Sequence, residues 1–380
     1  MNAETFCFEL ITPCFCSGAE PDRRAEIRAA SIRGQLRWWL RTLGGFKSLA
    51  DQHMSLREQE DLVFGSTAGD AGRAGRLLVR VTSLATESSR RSGQELGADN
   101  IGSPAGYFLF PLRSQKDKQN GQGIPRYRGV FLVPLPKFTA ILQWRCGNSP
   151  WACAPALKDD IMALGSVFGH LGALGFRSRR GFGAMRLTEP QIGVSWALDR
   201  FADRNGIVVK TLGEYQALRP VQEAYWKWMT LMRTHGSTSH GSLNSGSPNW
   251  SMIRNDHERG LDVGRRSGVP ADTVFRSALG LPIIQQFSQP SRREVDWYPK
   301  FDPAKLRSKK GYQGEGRFAS PVLLRPHRYA QGKWHALVIF VDAHRWRADR
   351  KVYLNGQERS VSLGLYEAMK SDKRLKDFPA

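Results

Sequence analysis

The sequence has few of the residues that build disulfides, metal ribbons or membrane spans. Its 380 residues include five cysteines, at irregular spacing and without a Cys-x-x-Cys pair. This spacing argues against a zinc ribbon and favours reduced thiols. No run of about 18 apolar residues occurs, and the N-terminus carries no secretory pattern. We therefore expect a cytoplasmic protein with no membrane span and no structural metal.

Catalytic motifs are also scarce. The eight histidines are scattered, and the patterns His-x-x-x-His, His-Glu-x-x-His and Gly-x-Ser-x-Gly are absent. No Walker loop and no dinucleotide-binding glycine pattern occurs. The sequence therefore predicts a protein that is not an enzyme and needs no cofactor.

Positive charge, by contrast, is abundant. Lysine and arginine number 56 against 35 acidic residues, which gives a formal net charge of +21. The basic residues are spread along the chain, and 41% of the residues are hydrophobic. This favours folded domains with a basic surface, which attracts nucleic acid or an anionic membrane, over a disordered basic tail.

The most distinctive segment covers residues 172–183, here named the Gly-Arg loop. It holds four glycines and three arginines in twelve residues. Glycine permits a close backbone approach, and the arginine fork suits phosphate oxygens. An ordinary turn with solvated arginines is the alternative. The predicted phosphate ligands are Arg177, Arg179 and Arg180, the glycines expected to permit the approach are Gly175, Gly181 and Gly183, and the expected core anchors are Phe176 and Phe182.

A second basic feature lies on a predicted helix over residues 32–43. Ser31 is the expected N-cap, and the apolar residues recur at helical spacing on one face. Three arginines recur every fourth residue on a neighbouring face, here named the arginine stripe: Arg33, Arg37 and Arg41. Trp38 lies off the apolar face and is a candidate stacking platform or packing residue. A solvated charged face is the alternative for the stripe.

The order of predicted elements indicates an α+β fold. Strand, helix, strand, strand, helix, Gly-Arg loop and strand follow one another over residues 5–187, which is the order of a ferredoxin-like unit. A boundary near residues 199–207 divides the chain into domains at 1–200 and 208–380, with a Ser- and Gly-rich insert at 234–268. We predict two tandem ferredoxin-like (RRM-like) domains with long loop insertions.

These features together resemble a known superfamily. Ser31-Ile-Arg-Gly-Gln-Leu-Arg-Trp-Trp-Leu-Arg41 followed by the distant Gly-Arg loop is similar to the RAMP superfamily of CRISPR proteins. The chain looks closest to the first RAMP subunit of the type III-B (Cmr) effector complex. The blocks that carry this resemblance are Ile11-Thr-Pro13, Arg28-Ala-Ala-Ser-Ile-Arg-Gly34, Phe64-Gly-Ser66, Leu279-Gly-Leu-Pro-Ile283 and Arg317-Phe-Ala-Ser-Pro-Val-Leu-Leu-Arg325.

The resemblance implies a role and extends the set of candidate residues. It implies a non-catalytic subunit that binds guide and target RNA and caps the complex near the 3′ region of the guide. Its implied neighbours are other RAMP subunits and a large polymerase-like subunit. The implied RNA contacts include the loop and stripe residues, Trp38, Arg28 and Ser31, with Arg276 and Arg317 from the second domain.

Two other functions stay open at this stage. RAMP endoribonucleases that process guide RNA typically use an early histidine as general acid or base. His53 is the earliest histidine here, and His170, just before the Gly-Arg loop, is the better placed of the two. A scaffold whose basic charge binds acidic proteins is the third possibility.

Overall fold

The computed structural model contains a mixture of helices and strands. It describes residues 2–17, 25–67, 72–83, 93–100, 102–116, 122–124, 130–131, 137–145, 155–233, 273–280, 283–284, 300–303, 307–308, 311–312, 318–329, 331–347, 351–354 and 357–378. Within these ranges the α-helices are α1 (Ala29–Thr42), α2 (Lys47–Ala50), α3 (Leu56–Phe64), α4 (Pro104–Phe108), α5 (Pro155–Leu171), α6 (Val194–Leu198), α7 (Leu218–Arg233) and α8 (Gly364–Lys370).

The strands are numbered in the same way. The first ten are β1 (Asn2–Leu10), β2 (Cys14–Phe15), β3 (Gly65–Ser66), β4 (Arg73–Ala74), β5 (Leu77–Ser83), β6 (Gln115–Lys116), β7 (Gly123–Ile124), β8 (Val130–Phe131), β9 (Lys137–Trp144) and β10 (Met185–Glu189). The others are β11 (Val208–Tyr215), β12 (Thr273–Val274), β13 (Ile283–Ile284), β14 (Lys300–Pro303), β15 (Arg307–Ser308), β16 (Gly311–Tyr312), β17 (Val322–Arg328), β18 (Trp334–Phe340), β19 (Lys351–Leu354), β20 (Gln357–Val361) and β21 (Lys376–Asp377).

Contacts between residues divide the chain into two compact units. The first comprises Met1–Trp226, Leu323–Ile339 and Asp377–Ala380, and the second comprises Lys227–Val322 and Phe340–Lys376. The division into domains at 1–200 and 208–380 stays a prediction, and the predicted insert at 234–268 lies outside the described residues. In the described ranges no helix is long and apolar enough to cross a membrane.

The main sheet of the first unit has the order β10-β1-β9-β5, with every neighbouring pair antiparallel. Helix α1 lies in the chain between β1 and β5, and α5 lies between β9 and β10. The predicted succession of strand, helix, strand, strand, helix and strand is therefore present in this unit. The tandem arrangement of two ferredoxin-like domains stays a prediction.

Alternation along β1 explains how this sheet is covered. Phe6, Phe8 and Leu10 are buried while the residues between them are half-buried, as expected for a strand with one face on the core. Two glycines of α5 let the helix approach this face. A Cβ at Gly165 would lie 2.3 Å from the Phe6 ring, and one at Gly169 would lie 2.9 Å from the Phe8 ring. The sheet thus holds α5, and with it the start of the Gly-Arg loop.

Helix α1 begins earlier than the sequence predicts. Its first residue is Ala29 and its N-cap is Arg28, whose side chain makes no capping hydrogen bond. The prediction of Ser31 as N-cap is therefore wrong, because the backbone already turns at Arg28, whose carbonyl accepts from the Ser31 amide at 3.0 Å. The predicted apolar face is buried through Ile32, Leu36, Trp39 and Leu40.

A second sheet of the first unit has the order β17-β18-β11-β21. The sequence predicts a helix over residues 214–232 and no strand directly before it, but Val208–Tyr215 form strand β11. The helix begins at Leu218 instead. Tyr225 on this helix is fully buried and donates to the Leu337 carbonyl of β18 at 2.9 Å.

The second unit contains a sheet of order β12-β20-β19-β14-β13, with β12 and β20 parallel. Its core includes Val274, Ala278, Trp346 and Val352, and the Phe318 ring packs edge-on against Trp346 at 4.9 Å. The helix predicted over residues 272–281 is a short 3₁₀ turn, Arg276–Leu279. The basic helix predicted over residues 366–376 is α8, which ends at Lys370.

Candidate nucleic-acid interface

Backbone hydrogen bonds close the Gly-Arg loop at its base. The Leu174 amide donates to the Gly183 carbonyl at 2.9 Å, and the Gly183 amide donates to the Pro13 carbonyl at 2.8 Å. Nearer the tip, the Phe176 amide donates to the Phe15 carbonyl at 2.9 Å. The loop is therefore fixed against the segment that follows β1, and its tip has a defined conformation.

Two of the loop glycines serve this internal packing. Gly175 has φ +79°, and a Cβ there would lie 2.5 Å from the Phe15 carbonyl oxygen. Gly183 has φ +66°, and a Cβ there would lie 1.8 Å from the Leu174 carbonyl oxygen. The close approach they permit is to the protein's own backbone. Gly181 has φ +87° but more room, since the nearest atom to a Cβ, on Pro326, is 3.6 Å away.

Arg177 and Arg180 carry positive charge that no carboxylate balances in the part of the chain that the structure describes. Both side chains are half-buried. Burial lowers the pKa of Arg177 to about 10, so Arg177 is charged at neutral pH, and burial also lowers the pKa of Arg180. Arg177 has φ +63° and donates through Nε to the Phe108 carbonyl at 2.5 Å. Its other guanidinium nitrogens have no hydrogen-bond partner among the described residues.

Arg179 joins the loop to α1. Its guanidinium carbon lies 5.3 Å from the centre of the Trp38 ring, and its carbonyl accepts from the Leu324 amide at 3.2 Å. Trp38 also meets Trp39 edge-on, with ring centres 4.9 Å apart. The structure thus brings together two features that are about 140 residues apart in the chain, at a cavity of about 190 Å³ that Trp38 and Arg179 line with Ser178.

Two arginines of the stripe pair with a carboxylate that could not be identified from the sequence. Glu60 of α3 is buried and forms ion pairs with both Arg37 and Arg41. Arg33 donates to the Phe64 carbonyl instead, and its guanidinium lies 5.8 Å from the centre of the Phe64 ring. Helix α3 is well defined, since Ser55 and Glu58 form a capping box at its N-terminus.

The charges at the stripe hold one another in the ionised form. Burial raises the pKa of the Glu60 carboxyl, but hydrogen bonds from Arg41 and Arg37 outweigh it and leave that pKa below its ordinary value. The hydrogen bond with Glu60 raises the pKa of Arg41. The stripe borders an open cleft of about 550 Å³, which Arg57 and Arg73 also line. The cleft is basic, and Glu60 balances part of its positive charge.

Comparison with known proteins identifies the family. Residues 7–186, which include both the stripe and the Gly-Arg loop, match the RAMP superfamily. The CRISPR system Cmr subunit Cmr1-2 of Pyrococcus furiosus is 43% identical over 194 residues, which cover 49% of this chain and 96% of that relative. This chain belongs to the RAMP superfamily, within the Cmr1 family.

Three further proteins resemble this chain at lower sequence identity. The Cmr subunit Cmr1-1 of the same organism is 28% identical over 226 residues, which cover 56% of this chain and 59% of that relative, less than two thirds of its length. The crystal structure of Cmr1 from Pyrococcus furiosus in the apo form has a TM-score of 0.49 and 16% identity. The match covers 99% of this chain and 98% of that chain. A chain of the Type III-B Cmr-beta complex bound to cognate target RNA has a TM-score of 0.43 and 11% identity. The match covers 90% of this chain and 95% of that chain.

Arg325 is a residue of this site that pattern alone did not single out. Its fully buried guanidinium donates to the carbonyls of Gly169 and Gly172 at 2.9 and 3.2 Å, and also to the Met185 carbonyl. Burial lowers its pKa to about 9. A cation at the last carbonyls of α5 complements the helix dipole. Arg325 therefore links the start of the Gly-Arg loop to β10, the strand that follows the loop.

The two phenylalanines of the loop differ. Phe182 is buried against Phe15, with ring centres 5.6 Å apart, so it is the core anchor that was predicted. Phe176 is 40% exposed. Its prediction as a core anchor is wrong, because its backbone pairs with Phe15 while its side chain points away from the core.

The remaining candidates belong to neither the Gly-Arg loop nor the arginine stripe. Arg28 is exposed at the start of α1, and Ser31 is half-buried in its first turn. Arg276 lies in the second unit, on its 3₁₀ turn, and its side chain is not described. Arg317 lies outside the described residues.

The two histidines considered for catalysis lie in different surroundings. His170 is half-buried, and its Nε2 lies 2.7 Å from the Ile192 carbonyl oxygen. Burial lowers its pKa. His53 is exposed in a turn after α2. Within the described ranges, no group of three or more His, Cys, Asp or Glu side chains is arranged to hold a metal ion.

Proposed function

We propose that this chain is an RNA-binding subunit of a type III-B CRISPR (Cmr) effector complex. In this proposal it has no catalytic centre, acts in the cytoplasm, and caps the complex near the 3′ region of the guide RNA. Its partners are guide RNA, target RNA, other RAMP subunits and a large polymerase-like subunit. Membership of the Cmr1 family supports the assignment to this complex.

One observation carries the RNA-binding part of the proposal. Arg177 and Arg180 are half-buried, charged and without a carboxylate partner in the described part of the chain, on a loop whose backbone is fixed. Burying such charge is unfavourable unless an anion pairs with it. A phosphate backbone supplies anions at regular spacing, and the arginine fork suits them. Arg179 and Trp38 extend this surface towards the stripe.

The proposal predicts binding that follows the backbone and not the sequence. A subunit that accepts any guide contacts phosphates and sugars, because base edges would restrict the choice. Fluorescence anisotropy with two unrelated single-stranded RNAs of equal length tests this. We expect dissociation constants that agree within about tenfold, or roughly 1.4 kcal/mol. A thousandfold preference for one sequence would contradict the proposal and favour a processing enzyme.

A triple substitution locates the contact. Replacing Arg177, Arg179 and Arg180 by Ala should flatten the dependence of log affinity on log salt by roughly 1–2 units. The matched control replaces Arg186 by Ala, since Arg186 is also half-buried but pairs with Glu9 at 2.6 Å. If the folded triple variant shows the same slope of log affinity against log salt as the native protein, the loop does not contact RNA phosphates.

The enzymatic alternative has its own test. Purified protein is incubated with CRISPR repeat RNA in the absence of metal ions, alongside His170→Ala and His53→Ala. We expect no cleavage by any of the three proteins. Cleavage by the native protein that either substitution abolishes would replace the proposed binding role with guide-RNA processing. For the scaffold alternative, nuclease treatment should release the partner subunits if RNA holds them, and should leave them bound if acidic protein surfaces do.

A further inference from the structure

Three large aromatic side chains stand out as exposed among the described residues: Phe110 at 62%, Phe176 at 40% and Trp196 at 38%. Two of them have a guanidinium over the ring. Arg113 lies 5.4 Å from the centre of the Phe110 ring, and Arg200 lies 5.0 Å from that of Trp196. In the described chain, the Phe176 ring has neither an aromatic partner nor a cationic one. Phe176 is therefore the exposed ring whose faces remain unused.

The backbone on both sides of Phe176 holds its ring outward. Gly175 and Arg177 both have left-handed conformations, at φ +79° and +63°. The Phe176 amide is bonded to Phe15, and the Arg177 side chain is bonded to the Phe108 carbonyl. A non-glycine residue in this conformation is strained and is maintained where the surroundings impose it. The exposure of the ring thus belongs to a fixed turn.

The charge around the ring indicates what covers it. Arg177 follows Phe176 directly in the chain. The backbone amide of Arg180 donates a hydrogen bond to the Arg177 carbonyl at 2.8 Å. Neither has a carboxylate partner in the described ranges. A purely apolar protein partner would leave these charges unpaired at its edge, which is costly. A nucleotide satisfies both needs, since its base has an apolar face and its phosphate is an anion.

We propose that Phe176 is a stacking platform for an unpaired base of the bound RNA, while Arg177 and Arg180 hold the adjoining phosphates. This rests on the proposed RNA-binding function and adds the residue that contacts a base. Stacking tolerates any sequence, because every base presents a π face. It therefore agrees with a subunit that accepts any guide. Trp38, which already carries Arg179 over its ring, is not needed as the platform.

The test compares four substitutions by RNA titration: Phe176→Ala, Phe176→Leu, Phe176→Trp and the control Trp196→Ala. Stacking predicts an affinity about 10- to 100-fold lower for the Ala and Leu variants. The Trp variant should stay within about threefold of the native protein, because an indole stacks at least as well. Trp196→Ala removes an equally exposed aromatic side chain elsewhere and should leave the affinity unchanged. Thermal melts check that every variant is folded.

A second arm separates stacking from apolar contact with sugars. RNA that lacks bases at successive positions should bind the native protein and Phe176→Ala equally, because neither can stack on it. A Leu variant that retains full affinity for ordinary RNA would overturn the proposal. So would a Phe176→Ala variant that binds RNA normally but loses another subunit of the complex, which would assign the ring to a protein partner.

The outcomes distinguish the stacking role of Phe176 from the proposed RNA-binding function on which it rests. If the native protein binds no RNA, the proposed function itself fails. If the native protein binds RNA, the arginine substitutions flatten the salt dependence and Phe176→Ala changes nothing, the function stands and the stacking role is wrong.

Discussion

The arginine stripe and the Gly-Arg loop have the same basic composition but different electrostatics. On the stripe, Arg37 and Arg41 share the buried carboxylate of Glu60. In the loop, Arg177 and Arg180 have no carboxylate partner in the described ranges. The stripe has its counter-ion built in, whereas the loop leaves its charge to be balanced from outside. A row of arginines in a sequence is therefore not sufficient to indicate a phosphate site.

The difference also lies in how the two regions are held. The stripe is on a regular helix and depends on ion pairs for the position of its side chains. The loop is positioned by backbone hydrogen bonds, by glycines in left-handed conformations and by the buried Arg325. Substitutions of the loop glycines should therefore affect the backbone conformation of the loop, whereas substitutions of the stripe arginines or of Glu60 should affect charge.

Gly183→Ala should have the largest effect on this comparison. The left-handed φ costs about 1–2 kcal/mol, and relieving the overlap with Leu174 costs about 1–3 kcal/mol more. We expect a loss of about 2–5 kcal/mol in unfolding free energy and weak RNA binding by the folded fraction. Gly181→Ala is the matched control, since the same conformational change occurs there without overlap, and should cost about 1–2 kcal/mol. Equal losses in denaturant titrations would show that the internal approach at Gly183 is unimportant.

On the stripe, neighbouring residues should separate folding from charge. Leu36 is fully buried, so Leu36→Ala should cost about 3 kcal/mol through the cavity it leaves. Arg37→Ala should cost about 1 kcal/mol, because Arg41 keeps Glu60 paired. RNA binding should fall less for Arg37→Ala than for Arg180→Ala. The opposite order in paired melts and titrations would mean that the stripe is the main phosphate site.

Glu60→Gln should sharpen the contrast by making the stripe resemble the loop. Removing the carboxylate frees two arginines, so affinity for RNA at low salt should rise about 2- to 5-fold. Stability should fall by about 1–2 kcal/mol, because charge-assisted hydrogen bonds are lost. An affinity that does not change would show that RNA does not reach the stripe.

The Glu60 ion pairs should also appear in the pH dependence of stability, as the smallest of these effects. Because the pKa of folded Glu60 is lowered, its contribution is complete above the unfolded pKa, near 4.5. It is lost as the pH falls through the folded pKa. The stability difference between the native protein and Glu60→Gln should therefore shrink below about pH 4.5. A difference that stays constant down to pH 3, measured by urea unfolding, would contradict this.

Much of the first unit could be predicted from periodicity. The alternation of Phe6, Phe8 and Leu10 and the helical spacing of Ile32, Leu36 and Leu40 are local patterns that report directly on burial. Strand β11 was missed because it is mostly half-buried, with Thr211 as its only buried residue, so its sequence does not alternate clearly. The early start of α1 was missed because Arg28 makes no side-chain cap.

The residue types of the candidate site could be predicted from the sequence, but the tertiary contacts between them could not. The concentration of arginine and glycine in the Gly-Arg loop, on which the proposed phosphate site rests, is visible in its composition. The distant partners of the site are not: Glu60 lies 19 residues beyond Arg41, and Arg325 lies 153 residues beyond Gly172. No local pattern reports which carboxylate meets which arginine, since the tertiary fold decides it. The exposed ring of Phe176 was missed for the same reason, because the contacts that fix its turn come from β2, which pairs with Phe176, and from α4, whose Phe108 carbonyl accepts from Arg177.

The central claim is that the loop, more than the stripe, supplies the phosphate contacts, and salt dependence tests it most directly. One variant carries Arg177→Ala and Arg180→Ala. The other carries Arg37→Gln, Arg41→Gln and Glu60→Gln, which leaves no unpaired buried charge. The account predicts that the loop variant flattens the slope of log affinity against log salt by about 1.4 units, or roughly 0.7 for each phosphate contact, and that the stripe variant changes it by less than about 0.7. A stripe variant that flattens the slope as much as the loop variant, or more, would contradict it.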